Sequence, residues 1–276
     1  MMRPLIAIAA LIVAGTGAPA EADVTARYAG TGRSAPGLTF AVADNGRVRA
    51  ETIRPNQPEE RAILITRGGI GYLSAADAQG RFVGRQDDIL AVASEVMRAA
   101  VPPEARTAMR HVAAMRFEIV EGGMETVGGR QGRLYRVTPV LAPVGPVVAP
   151  EGDVSPAGPH GHDFDGPEAD EENAMPPAFD VVISDDPELA PIGREMARLF
   201  DSGSVLLEAM FGTMPGAVGQ VRALLARGTL IRFADEVRLG SVDRAAIPQS
   251  AFDLPGRVLT RAQLRARAPQ MQMRPD

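Results

Sequence analysis

Between Asp23 and Gly84 apolar and polar residues alternate in short runs separated by turn residues, which is the two-residue period of half-buried antiparallel strands. Leu38, Phe40 and Val42 alternate with Thr39 and Ala41. Asp44-Asn45-Gly46 then supplies the positive-φ residues of a tight hairpin, and Val48 and Ala50 resume the alternation. Ile63-Leu64-Ile65 runs into Gly68-Gly69 and returns through Ile70 and Tyr72, a second hairpin. A third turn from Asp77 to Gly80 leads to Arg81–Val83. The pattern predicts five or six sequential strands in a meander.

Helical periodicity follows. Asp87-Asp88 precede Ile89, Val92 and Val96, with Leu90 and Met97 beside them, and Pro102-Pro103 stops the run. Asp185-Asp186 stand in the same relation to Leu189, Ile192, Met196 and Leu199. Both carboxylate pairs read as helix N-terminal caps and dipole partners rather than as catalytic acids. Between these helices Phe117–Val120, Thr126-Val127 and Arg133–Thr138 read as strands, with glycine turns at Gly122-Gly123 and Gly128-Gly129. Further strands are expected at Phe179–Ser184, Thr229–Phe233 and Val237–Val242. Residues 139–177 differ in kind: nine of the 23 prolines and eight acidic residues fall there, without one arginine. Such a segment cannot bury enough apolar surface to offset its ordering, so it is expected to be a flexible insert.

Residues 1–20 have the three-part layout of a secretory signal peptide: Arg3, an apolar run from Leu5 to Gly15, and small residues ending in Ala18-Pro19-Ala20. The run is shorter than the roughly 20 apolar residues that cross a bilayer. Residues 21–276 contain no longer apolar stretch, and are expected to form a single domain, exported to a periplasm, with no transmembrane segment.

Composition removes much chemistry. The chain has no cysteine, no tryptophan and three histidines, and all 29 basic residues are arginine. Thiolate nucleophiles, disulfides, Schiff-base lysines and the P-loop lysine are excluded. A net charge of −5 and 4% aromatic residues argue against nucleic-acid binding. His160, His162, Asp163 and Asp165 form the only close cluster of metal-ligand types, able in principle to hold a divalent ion such as nickel, copper or zinc. They lie in the flexible insert with nothing to orient them, so a solvated linker is the plainer reading. His111, lone beside Arg110, reads as a half-exposed helix residue. No serine sits in a G-x-S-x-G frame, and the runs Gly68–Gly71 and Gly128–Gly132 join strands without opening a helix, so neither cradles a phosphate. No cofactor is expected. Arg257, Arg261 and Arg265 recur every four residues after Pro255, with Arg267 and Arg274 following, along a C-terminal helix, most simply as a solvated basic stripe, with lipid headgroups or the acidic insert as other destinations.

The order of these features resembles the LolA/LolB-like superfamily, and within it exported periplasmic members whose domain has no assigned function. The resemblance rests on the signal layout and the glycine-hairpin meander with its following helix. Glu125-Thr126-Val127-Gly128-Gly129-Arg130 with Leu134-Tyr135-Arg136-Val137 carries it further, as does the late tract Ile247-Pro248-x-Ser250-Ala251-Phe252-Asp253-Leu254-Pro255-Gly256. It implies an α+β fold: a curved antiparallel sheet, an incomplete β-barrel, with helices covering a concave apolar face that in the carriers receives acyl chains. No specific ligand residue transfers. From strand alternation and the helix stripes, the expected lining is Leu38, Phe40, Val42, Ile63, Ile65, Met97 and Met196. The expected function is non-enzymatic binding of a lipid or other hydrophobic molecule, and the alternative is an envelope sensor or scaffold module that binds a protein partner.

Overall fold

The hairpin signals place the first half of the chain strand by strand in the computed structural model, which describes residues 23–31, 37–54, 57–77, 79–100, 115–141, 177–212 and 214–271. Strands β1 (Val24–Gly30), β2 (Gly37–Val42), β3 (Val48–Arg54), β4 (Gln57–Arg67), β5 (Ile70–Asp77) and β6 (Gly80–Arg85) pair in sequence order, each antiparallel to the next. Gly68 and Gly69 both take positive φ in the two-residue turn between β4 and β5, as the twist of a tight hairpin demands. The second half adds β7 (Met115–Val127), β8 (Arg130–Leu141), β9 (Phe179–Ser184), β10 (Thr229–Phe233), β11 (Val237–Asp243) and the short β12 (Val258–Leu259). All join one open, curved, 12-stranded sheet in the order β12-β6-β5-β4-β3-β2-β1-β11-β10-β9-β8-β7. Among the described strand pairs only β12–β6 is parallel. Among the described residues four helices complete the α+β fold: α1 (Gln86–Ala100), α2 (Ala190–Phe211), α3 (Pro215–Leu225) and α4 (Arg261–Met271).

Two boundaries differ from the sequence reading. Gly122-Gly123 is no turn: β7 runs through it, with a shift in register between Glu121 and Met124, so the glycines form a bulge within one strand. Strand β8 continues to Leu141 and takes residues 139–141, read as the start of the insert, into the sheet opposite Phe117, Arg116 and Met115. Residues 142–176 lie outside the described residues, as do residues 1–20, expected to be a signal peptide, His111 and Arg274.

Register decides which side chains meet. Directly opposed residues share a face, so Phe40 opposite Ala50, and Ala50 opposite Leu64, place Leu64 on the side of Phe40. On this inner face Phe40, Val42, Val48, Ala50 and Leu64 join Val24, Ala26 and Tyr28 of β1, Val182, Ile231 and Leu239, and all close around Leu189 and Ile192 at the start of α2. One cluster reaching from β4 to β9 requires the sheet to wrap about that helix. Beside it α1 and α4 cover β5 and β6 through Phe82, Val92, Leu264 and Ala268. Gly84 permits this approach, because a Cβ there would stand 3.0 Å from both Ile89 and Leu264.

The opposite face has separate covers. The late tract anticipated from sequence crosses β3 and β4 as a 3-10 turn, Gln249–Phe252, and Phe252 packs on Ile63, Ile65 and Ala43. Beneath it Arg49 and Arg61 clamp the buried Glu51 carboxylate, with Arg49 Nη2 and Arg61 Nη2 at 2.9 and 2.6 Å from Oε2, while Arg49 Nη1 donates to the Ala251 carbonyl at 2.8 Å. Leu224 of α3 joins Tyr135, Val137, Val181 and Ile183 on β8 and β9. The chain therefore passes from α2 on one face to α3 on the other around the β7 edge.

The arginines of α4 are not a solvated stripe. Arg261 and Arg265 both bond Glu95 of α1, at 2.6 and 2.8 Å, and Arg267 bonds Asp77 and the Gly80 carbonyl while lying 5.0 Å over the Phe82 ring. They fasten a helix that offers few apolar side chains of its own. No helix among the described residues is long and apolar enough to cross a membrane.

Candidate functional site

The expected lining divides between the two faces. Leu38, Phe40, Val42 and Met196 meet on the inner face, whereas Ile63 and Ile65 point to the other side of β4, under Phe252. The alternation within each strand was read correctly; the phase between strands was not, because it depends on loop lengths that periodicity does not report. Met97 is half-buried on α1, outside that inner cluster. The inner face is filled by the protein's own side chains. Phe40 retains 3% of its exposure and meets Tyr28 edge to face at 6.1 Å. The Tyr28 hydroxyl donates to the Leu230 carbonyl at 3.0 Å, and burial pushes its pKa up. Its proton is locked into structure.

A cavity of about 300 Å³ lies where α2 begins, among Ser184, Asp186, Ala190, Gly193, Leu225 and Thr229. Its buried hydroxyls are already committed: Ser184 Oγ donates to the Gln131 carbonyl at 2.6 Å, and Thr229 Oγ1 to the Leu189 carbonyl at 2.8 Å. Asp186 is not the helix cap expected, since Leu189 holds that position without a side-chain bond. Asp186 instead accepts the Glu188 N–H at 2.9 Å and ties Arg130 to the turn at 2.6 Å. The Asp87-Asp88 pair does lie in the first turn of α1, where the helix dipole favours it. His160, His162, Asp163 and Asp165 lie outside the described residues, and among the described residues no cluster of metal-ligating side chains occurs.

The third feature is the free end of the sheet. Among the described residues β7 is its terminal strand, and α3 covers only the start of that edge. The Gln220 amide spans both backbone groups of one residue: Phe117 N–H donates to Oε1 at 2.7 Å, and Nε2 donates to the Phe117 carbonyl at 2.6 Å. Those groups therefore point away from β8, so Phe117 and Pro139 form a non-hydrogen-bonded pair, where a proline costs the ladder nothing. By the same alternation Ile119 and Glu121 also turn their N–H and C=O groups outward, and past the bulge so do Met124 and Thr126. No described residue bonds them. Val120 and Met124 are each 55% exposed, and Leu141, opposite the start of β7, is 51% exposed. Glu121 is balanced by Arg133 at 2.9 Å and Arg227 at 3.5 Å, and Glu125 by Arg232 at 2.9 Å. Glu118 is exposed and pairs with no described residue. Sequence reasoning missed this edge because it cut β7 in two at the glycines. Comparisons with protein-family models, with curated proteins and with solved structures return no match.

Proposed function

We propose that the protein is an exported, non-enzymatic module of the cell envelope that binds a protein partner at the rim of its sheet. The observation that carries this reading is the placement of apolar surface. The concave face is packed against α2, with Phe40 nearly inaccessible, while Val120, Met124 and Leu141 stand in solvent along the β7–β8 hairpin. These are the three most exposed large apolar side chains among the described residues, and apolar exposure at a sheet edge fits an interaction surface. Titratable groups support no catalytic role: the perturbed carboxylates, Asp77, Glu95 and Asp180, are each held low by a structural arginine partner, and none lies against the cavity beside α2.

Binding of a hydrophobic small molecule is the second reading, favoured by that cavity beside α2, whose volume lies at the lower end of ligand pockets. A photocrosslinking amino acid placed separately at Val120 and at Phe40 in producing cells distinguishes the two. A protein adduct at Val120, with none at Phe40, is expected. Lipid recovered from the Phe40 position and in organic extracts of the purified protein, with no adduct at Val120, would replace the module with a carrier.

A further inference from the structure

We propose that the β7 edge from Ile119 to Thr126 receives an extended peptide of the partner as an additional antiparallel strand, with a basic side chain of that peptide seated on Glu118. This rests on the interaction-module reading and gives it a place and a mode. An edge strand presents a row of unpaired backbone donors and acceptors, and proteins ordinarily blunt such rows with proline, lysine, a bulge or a cover. Among the described residues the cover stops after one residue. Gln220 satisfies Phe117 with the same two bonds that an added strand would make, at 2.7 and 2.6 Å, and no described residue bonds the next rungs at Ile119 and Glu121. The strand is 13 residues long and carries no proline or lysine. Beyond the Gln220 cover it is blunted by the bulge at Gly122-Gly123 and by the carboxylates of Glu118, Glu121 and Glu125.

The side chains flanking the open rungs set the chemistry of the occupant. Glu118 and Val120 share one face of β7, and Ile119 shows the other. Read from its N-terminus, an antiparallel strand would place one residue opposite Val120, the next opposite Ile119 and the third opposite Glu118. Apolar, apolar, basic is the complementary order, because directly opposed pairs interact most strongly. Pairing with the same open stretch of a second copy does not supply it. The open stretch of β7, Ile119 to Thr126, contains Glu121 and Glu125 and no arginine, so self-pairing would bring carboxylates toward Glu118 rather than a cation.

The test uses a library of short displayed peptides selected on the full chain, followed by hydrogen exchange at the β7 amides with a selected peptide bound. Enrichment of the apolar-apolar-basic order and new protection of the Ile119 and Glu121 amides are expected. Glu121→Pro removes an outward N–H and should weaken the selected peptide by about tenfold or more, whereas Glu121→Ala, which loses the same carboxylate, should stay within about threefold. Glu118→Arg should reverse the selected third position from basic to acidic, a readout independent of whether the proline variant folds. Selected peptides that bind Glu121→Pro as tightly as the parent overturn the edge site and leave the interaction module standing. Absence of any enrichment, or an edge filled by a second copy in sedimentation, overturns the proposal outright. Failure of the module reading itself would show instead as lipid at Phe40 in the crosslinking experiment.

Discussion

Replacing Phe40 by alanine measures whether the concave face is solid or hollow. Phe40 is 3% exposed, meets Tyr28 at 6.1 Å, and stands in the cluster formed with Leu64, Ile192 and Ile231. In a filled core the substitution loses the transfer energy of the ring and opens a cavity that the sheet and α2 close only in part, a cost of about 3–5 kcal/mol. If Phe40 instead lined an open groove, no new cavity would form, and the loss would fall to about 1–2 kcal/mol, less than full burial of a large side chain is worth. At roughly 2–4 °C per kcal/mol for a chain of this size, a loss near 4 kcal/mol lowers the melting temperature by about 8–16 °C. Urea unfolding followed by far-ultraviolet circular dichroism gives the free energy, and an unchanged denaturant slope shows that the native state stays compact. A loss below about 2 kcal/mol with an unchanged slope would refute the filled face, and with it the main support for the interaction module.

Two further outcomes follow from the geometry. The Arg267 guanidinium holds Asp77 below its ordinary carboxylate range, and Arg265 and then Arg261 hold Glu95 down to about 2. Both carboxylates therefore contribute stability that is complete above the unfolded-chain value of about 4 and is lost as pH falls through the folded value. The expected result is undocking of α4 in acid before the β1–β11 ladder opens, read by exchange at the Leu264 and Ala268 amides; loss of their protection at neutral pH, or protection outlasting the ladder, contradicts it. The turn glycines Gly128 (φ 57°) and Gly129 (φ 76°) separate strain from crowding, since a Cβ at Gly128 would strike the Leu239 carbonyl while one at Gly129 meets nothing within 4 Å. Gly129→Ala should cost about 1–2 kcal/mol and Gly128→Ala clearly more, and equal shifts in denaturation midpoint would show that the hairpin tip does not press on β11.

The meander was legible because its signals are local: an Asp-Asn-Gly turn, paired glycines and a two-residue alternation each act within a few residues. The helices at Asp87 and Asp185 were legible for the same reason, although Leu189, not Asp186, holds the cap position of the second. α3 was not anticipated, since Gly216 and Gly219 weaken its helical pattern and it is held by Leu224 and Gln220 reaching residues roughly 40 to 100 positions away. Long-range relations were the unreadable part. That Ile65 lies under Phe252 and not beside Phe40, that Arg261 and Arg265 answer Glu95, and that β7 ends the sheet are consequences of assembly order. The expected ligand set suffered from this directly, as it assumed that two strands correct in themselves were also in phase.

The first described strand sits in the middle of the sheet, between β2 and a strand from the far end of the chain: Thr25 opposes Asp243 and Gly30 opposes Val237. A ribosome delivers β1 through β6 long before the partner that closes the β1 edge exists, and a translocation channel would do the same. Until residue 243 has emerged, the meander exposes β1 and its inner residues Val24, Ala26 and Tyr28 to any passing strand. Contacts across some two hundred residues also make closure slow, because the loop entropy must be lost before the pairing is gained. The last segment then acts as a belt, leaving the centre of the sheet at β11, crossing the outer face at Phe252 and fastening on β6 and α1 through β12 and α4. A chain interrupted before Val237 would lose the guard on its central strand together with this belt.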